Sequence, residues 1–169
     1  MKHLLPIAAL AVALGASGAG ASGATSPPCK GGALRGSFRV VPGSPGAGGI
    51  SYALRLQNVS RATCFVTGIP AMQLLDRLGK SLPTNARPRF PGELTAIMVR
   101  LAPGKAAKAT ARFSPDVPGV GEQHPGACEP TAYKLRATPT GRGSVVVPIQ
   151  PPTAVCEHGT MSFSVLSAA

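Results

Sequence analysis

Hydrophobic and polar residues alternate with a period of two along most of this chain. The clearest stretch is 50–57, where Ile50, Tyr52, Leu54 and Leu56 fall on one side and smaller or polar residues on the other. A period of two is typical of a strand that buries one face. The same alternation predicts further strands at 34–41, 97–101, 107–113, 133–138 and 160–165.

Two stretches depart from simple alternation. Residues 64–75 contain Gly68-Ile69-Pro70 in their middle, which predicts a bulge with a shift of register. Residues 145–149 contain Pro148, which favours an edge strand because proline lacks a backbone N–H. With turn-rich segments between them, about eight or nine short strands indicate a sandwich or barrel. We therefore expect an all-β domain, an immunoglobulin-like antiparallel β-sandwich.

The N-terminal region has the organisation of a signal peptide with a helical apolar core. Lys2 and His3 precede an apolar run at 4–14, and small residues follow up to residue 24. The run is too short to cross a bilayer, which needs about 20 residues. Ala19-Gly20-Ala21 fits a cleavage site. We expect three segments: a signal peptide at 1–21, a linker with the first cysteine at 22–33, and the β-sandwich domain at 34–169.

Cleavage near Ala21 predicts a secreted protein, extracellular or periplasmic, that does not span a membrane afterwards. Its four cysteines indicate disulfides, because an even number is typical of exported domains. Cys29 and Cys64 precede the first and third strands, and Cys128 and Cys156 precede two later strands that one strand separates. Alternate antiparallel strands begin at the same end of a sheet, so we predict the bridges Cys29–Cys64 and Cys128–Cys156.

The charge distribution is strongly uneven. The chain carries a net charge of +11, and loss of Lys2 with the signal peptide leaves 16 basic and 6 acidic side chains. The six acids all fall in predicted turns or loops, whereas eight basic residues fall on outward strand positions. These eight are Arg35, Arg39, Arg55, Arg100, Lys108, Arg112, Lys134 and Arg136.

Basic sheet faces of this kind concentrate polyanions near a surface. Outside a cell, the partners would be anionic cell-wall polymers, phospholipid headgroups or extracellular DNA. Sequence-specific nucleic-acid binding is not expected, because stacking aromatic residues usually accompany it and most Phe and Tyr here take inward positions. The alternative interpretation is that lysine and arginine on exposed strands prevent edge-to-edge aggregation.

Catalysis and metal binding have weaker support. His124 and His158 lie near Cys128 and Cys156, so reduced cysteines with the two histidines would form a Zn²⁺ or copper site. Disulfide formation removes those thiolates, and no G-x-S-x-G elbow is present for a serine hydrolase. We therefore expect a non-catalytic protein without metal or cofactor. A metal-binding protein or hydrolase that uses His124 and His158 is the alternative.

Several short stretches resemble one protein family. They are YALRLQNVS at 52–60, TCFVTGIP at 63–70, QLLD at 73–76 and LAPG at 101–104, together with the strand after Cys128 and the segment from Cys156 that ends in SFSV at 162–165. This pattern is similar to the secreted bacterial domain of unknown function 4232, from Cys29 to Leu166. The resemblance implies a cell-envelope or extracellular β-sandwich from bacteria of high genomic GC content, and it implies no activity. Members are often lipid-anchored, but here Ser26-Pro27-Pro28 replaces the small-residue motif that would precede a lipidated cysteine.

Overall fold

The structure is a computed structural model that describes residues 25–93, 97–122 and 128–169. The predicted signal peptide at 1–21 lies outside these ranges. Within them, no helix is long and apolar enough to cross a membrane. The helical elements are two short 3-10 turns, Gly31–Ala33 and Pro91–Glu93, and the four-residue turn α1, Cys156–Gly159.

Strands are the dominant secondary structure of the described chain, which confirms the all-β prediction. They are β1 (Leu34–Val40), β2 (Ile50–Asn58), β3 (Cys64–Thr67), β4 (Ala71–Leu75), β5 (Asn85–Pro88), β6 (Met98–Leu101), β7 (Ala106–Phe113), β8 (Ala132–Thr138), β9 (Val145–Thr153), β10 (Thr160–Phe163) and β11 (Ser167–Ala168).

Nine of these strands form one sheet. Its order is β4-β8-β9-β1-β2-β7-β10-β5, with β11 added beside β7, while β3 and β6 form a separate two-stranded sheet. Most neighbours are antiparallel, but β1 with β9 and β10 with β5 are parallel. The β1-β2-β7 region in the middle has the longest continuous registers.

The large sheet curves until its two end strands lie beside each other. The segment before β5 bridges them, because the Leu82 N–H donates to the Leu74 carbonyl at 2.9 Å and the Leu74 N–H donates to Thr84 Oγ1 at 2.9 Å. The molecule is therefore nearly barrel-shaped. The division into two immunoglobulin-like sandwich sheets is not confirmed.

Two strand predictions need correction. The stretch 64–75 is not one bulged strand, since the chain leaves β3 at Gly68, which has a φ of +63°, and enters β4 in the other sheet. The prediction that 145–149 forms an edge strand is wrong, because β9 lies between β8 and β1. Its pairing with β1 begins only at Ile149, one residue past Pro148.

The core follows the predicted alternation closely. Phe38, Tyr52, Leu54 and Leu56 are fully buried, and the rings of Phe38 and Tyr52 lie 5.1 Å apart between centroids. Small side chains on β7 leave room for these rings, since alanine occupies positions 107, 109 and 111. Residues at some inward positions of the predicted alternation lie outside the core, and one of them, Ile97, is exposed. Tyr133 is only half-buried, because the register shifts between Ala132 and Lys134 and places Ala132 in the core.

Both predicted disulfides are present. Cys29–Cys64 has a Cα–Cα distance of 4.9 Å and Cys128–Cys156 one of 5.4 Å. The first joins the segment before β1 to the two-stranded sheet, and the second joins the segment before β8 to α1. The pairing is thus as predicted, although β3 and β10 do not occupy the sheet positions from which it was inferred.

A buried amide organises the end of β2. The Asn58 side chain is fully buried; its Nδ2 donates to the carbonyls of Ala62 and Leu101, each at 2.8 Å, and its Oδ1 accepts from the N–H and the hydroxyl of Ser60. Asn58 thereby connects the large sheet to β6. Asn58-Val59-Ser60 matches the sequence pattern of an N-glycosylation site. In the structure it forms a turn, and the Asn58 amide is inaccessible.

Candidate functional site

The outer face of the β1-β2-β7 region brings basic residues together. Arg55 on β2 lies directly opposite Lys108 on β7, and on its other side it lies opposite Ser37 of β1. Residues directly opposite in an antiparallel pair point to the same face, with Cβ atoms about 5 Å apart. Arg55 and Lys108 are both exposed, so they form a like-charge cross-strand pair.

Two further arginines flank Arg55 diagonally. Arg35 and Arg39 lie two residues to either side of Ser37 on β1, opposite Gln57 and Ala53. Diagonal neighbours on one face are about 7–8 Å apart. Both arginines are exposed. We call Arg35, Arg39, Arg55 and Lys108 the basic cluster.

The other four predicted polyanion-binding residues lie elsewhere. Arg112 is half-buried on β7, opposite Ser51. Lys134 and Arg136 are half-buried on β8, and Lys134 Nζ donates to the Arg77 carbonyl at 3.1 Å. Arg100 is exposed on β6, in the two-stranded sheet. The structure therefore unites half of the predicted set.

No carboxylate among the described side chains pairs with the basic cluster. All six acids lie outside the strands. Among the residues whose side chains the structure describes, no lysine or arginine forms an ion pair with a carboxylate, and the ion pairs found there involve His158. A like-charge pair directly opposite in a sheet costs roughly 0.2–1 kcal/mol, so the fold tolerates an unfavourable contact at Arg55 and Lys108.

Small side chains surround the cluster and leave the arginines accessible. Ser37, Ala53 and Thr110 are half-buried between the basic residues. Within the described residues, the side chains of the cluster make one hydrogen bond to another side chain, from Arg55 Nη1 to Gln57 Oε1 at 3.3 Å. Most guanidinium donors of the cluster are thus available to external oxygen atoms, such as those of phosphate or carboxylate groups.

The proposed metal centre of histidines and thiolates is not formed. Cys128 and Cys156 are bonded to each other, and His124 lies outside the described residues. His158 instead faces two carboxylates, with its Nδ1 3.7 Å from Glu122 Oε1 and 3.8 Å from Glu129 Oε1. The sequence offered no signal for this group, since His158 and Glu122 are 36 residues apart in the chain.

Glu122 fastens its own loop to α1. Its Oε2 accepts the N–H of Gly119 at 2.6 Å and that of Glu157 at 2.8 Å, and its Oε1 accepts the N–H of His158. Burial alone raises the pKa of Glu122, but these three donors and the charge of His158 outweigh it and lower the pKa from 4.5 to about 2. The carboxylate also holds Glu157 and His158 in the left-handed region, each with a φ of +55°.

Glu129 is the second carboxylate beside His158, and its negative charge is less well stabilised than that of Glu122. Burial and then the negative charge of Glu122 raise its pKa, against the opposing effect of His158. One ligand atom from each of Glu122, Glu129 and His158 lies within 4.8 Å of the others, a spacing that suits a cation. Both carboxylate oxygens of Glu122 already accept backbone N–H groups. We therefore assign Glu122, Glu129 and His158 the structural role of attaching the loop to α1.

Fold and surface together define a disulfide-bonded all-β domain with a basic cluster on its outer sheet face. Residues 29–166 match the model of the family described as Domain of unknown function (DUF4232). The chain belongs to this family, as its sequence motifs suggested. No curated protein and no solved structure matches the chain.

Proposed function

We propose that this protein is a non-catalytic binding module that captures polyanions on the basic cluster. The observation that carries the proposal is the position of Arg55, directly opposite Lys108 and diagonal to Arg35 and Arg39. Four cations on one face, with no described carboxylate paired to them, destabilise the free protein slightly. A bound polyanion removes that repulsion, so the energy is recovered on binding.

Protection against edge-to-edge aggregation does not account for this cluster. Such protection is needed on strands with an unpaired edge. β1 lies between β9 and β2, β2 between β1 and β7, and β7 between β2 and β10. β1 pairs with β9 only at Phe38 and Arg39, so Arg35 lies beside a stretch that β9 does not pair. The other three members of the cluster have strand partners on both sides and guard no edge, which favours a ligand-binding role for them.

The nature of the surface favours contacts to a charged backbone over contacts to bases or sugars. The rings of Phe38, Tyr52, Phe113 and Phe163 are buried in the core and offer no stacking platform. Binding is therefore electrostatic, tolerant of polymer sequence and sensitive to salt.

Binding to defined polyanions tests the proposal. The wild-type protein is mixed with polyphosphate, phosphatidylglycerol vesicles or duplex DNA at about 50 mM and about 500 mM NaCl, with phosphatidylcholine vesicles as the uncharged control. We expect binding to at least one polyanion at low salt, its loss at high salt, and weaker binding by the Arg35→Gln/Arg55→Gln variant. Binding unchanged at high salt, or abolished by His158→Ala, would refute the proposal.

We further propose that the protein is exported and that export allows its disulfides to form. Cys29–Cys64 and Cys128–Cys156 leave no free cysteine in the described chain, and such pairs persist mainly in oxidising compartments. Expression of the full chain in a bacterial host, followed by intact mass spectrometry of the exported fraction, tests this. The proposal predicts an N-terminus at Ser22 and no free thiols; an uncleaved, reduced protein in the cytoplasm contradicts it.

A further inference from the structure

A solvent-facing cavity of about 320 Å³ lies at one end of the large sheet, apart from the basic cluster. It lies between the turn before β2, the ends of β5 and β7, and α1. Its lining is mostly polar, with Arg89, Arg112, Ser114, Glu157 and Ser162 among the contributing residues. The volume is at the small end of the range for ligand sites, about 300–1,000 Å³.

Arg112 is fitted into the wall of this cavity. Its guanidinium packs so closely on Gly49 that a Cβ at that position would lie 2.7 Å from Nη2. The side chain is half-buried, and it makes no hydrogen bond or ion pair with any residue of the described chain. A guanidinium held in place by packing with unused donors is prepared for an external acceptor.

Arg89 supplies a second guanidinium. Its backbone N–H donates to the Phe163 carbonyl at 2.7 Å, which anchors the residue just after β5. Its side chain lies over the ring of Phe90, with the guanidinium carbon 5.5 Å from the centroid. The cavity therefore presents two guanidinium groups, that of Arg112 packed on Gly49 and that of the exposed Arg89.

The hydroxyl groups of the lining differ in availability. Ser114 Oγ accepts the Val117 N–H and donates to the Val117 carbonyl, and Thr160 Oγ1 donates to the Glu157 carbonyl. The Ser162 hydroxyl makes no hydrogen bond to any residue of the described chain. It stands beside Arg112, which pairs with it across β7 and β10.

We propose that this cavity binds the carboxylate group of a small molecule. Two guanidinium groups and Glu157 give the lining a net charge of +1, which a singly charged anion neutralises. A carboxylate is planar and matches the guanidinium fork in two parallel hydrogen bonds. A phosphate monoester carries about −1.5 to −2 at pH 7, so Glu157 would repel its excess charge.

Gly49 and Arg112 allow a test that separates binding from folding. The φ of Gly49 lies outside the left-handed region, so alanine fits its backbone, and the added Cβ only displaces the flexible end of Arg112. Gly49→Ala keeps every charge, and Arg112→Lys keeps the charge while removing the fork. Arg87→Lys on the exposed side of β5 is the matched control.

The experiment is an NMR titration of ¹⁵N-labelled wild-type protein with N-acetylglycinate at constant ionic strength. We expect saturable shifts of the Gly49 and Ser162 amides and the Arg112 side-chain N–H. Affinity should fall roughly tenfold or more in Gly49→Ala and Arg112→Lys, and remain unchanged in Arg87→Lys. Equal shifts with chloride, equal or tighter binding of methyl phosphate, or unchanged affinity in the Gly49→Ala and Arg112→Lys variants would overturn the assignment.

This inference is independent of the polyanion proposal. Arg55→Gln should leave N-acetylglycinate binding unchanged, and Gly49→Ala should leave polyanion binding unchanged. An effect of Arg55→Gln as large as that of Gly49→Ala would contradict a discrete carboxylate site.

Discussion

Arg55 on β2 and Lys108 on β7 lie directly opposite each other on the outer face of the large sheet. Both are exposed, and no carboxylate of the described chain pairs with either of them. Folding alone does not favour such a pair, because opposite charges or small polar residues would stabilise the same position better. The arrangement is easier to explain as a surface that is stabilised when an anion binds.

The first prediction concerns the stability of this pair. Arg55→Glu replaces a repulsive contact with an attractive one, so the free energy of unfolding should rise by about 0.5–1 kcal/mol. Urea denaturation monitored by circular dichroism measures the change. Lys80→Glu is the control. Lys80 is exposed in the turn after β4, and β4 is three strands away from β1 in the sheet. This substitution makes the same change in net charge and should bring no comparable gain in stability. Equal gains in both variants would assign the effect to net charge.

The second prediction concerns the buried amide at the end of β2. Asn58→Ala leaves the carbonyls of Ala62 and Leu101 without their donor, so the variant should lose about 2–4 kcal/mol of stability. Denaturant unfolding measures the loss. Asn85→Ala serves as the control, because it removes only a hydrogen bond of 3.3 Å to Thr160 and one of 3.1 Å from the exposed Arg87, and its expected loss is below about 1 kcal/mol. A similar, small loss in both variants would show that Asn58 does not connect the two sheets energetically.

The third prediction concerns stability as a function of pH. Glu122 has a pKa lowered from 4.5 to about 2 in the folded protein, so its contribution is complete above pH 4.5 and is lost as the pH falls towards 2. The pKa of Glu129 is raised, so its ionised form destabilises the fold at neutral pH, and that penalty disappears as the pH falls towards 4.5. The two carboxyl groups thus act in opposite directions in adjacent pH ranges.

Thermal unfolding of variants across pH 2–7 separates these contributions. Glu129→Gln should be more stable than the wild type at pH 7 and should lose the gain that the wild type shows on acidification towards 4.5. Glu122→Gln should be less stable at pH 7 and should lose the decline below 4.5. Identical pH profiles for the wild type and both variants would contradict the assigned pKa directions.

Alternation in the sequence was sufficient to predict most strands and their buried faces. Phe38, Leu54 and Met161 are inside as expected, because a period of two in side-chain polarity is a local property. The disulfide pairs were predicted correctly, although β3 and β10 do not occupy the sheet positions from which the pairing was inferred. By contrast, β5 carries the sequence NARP, which has neither alternation nor β-branched residues, and it is a strand only because β10 supplies a parallel partner.

Long-range arrangement was not predictable in the same way. The position of β9 between β8 and β1 depends on tertiary pairing, which the presence of Pro148 alone does not determine. For the same reason, the eight outward basic residues were identified individually, but the register that unites four of them is a property of the sheet. The cavity beside Arg112 could not be predicted either, because the sequence does not show that the distant Gly49 lies against the Arg112 guanidinium.

The salt dependence of duplex DNA binding tests the central claim most directly. In fluorescence anisotropy, the logarithm of the association constant falls with the logarithm of salt concentration by about 0.9 per phosphate neutralised. Arg55→Gln should reduce this slope by about 0.9, whereas Lys80→Gln, which removes the same charge elsewhere, should leave it unchanged. Equal slopes for Arg55→Gln and the wild type, or equal reductions in both variants, would contradict polyanion binding at the basic cluster.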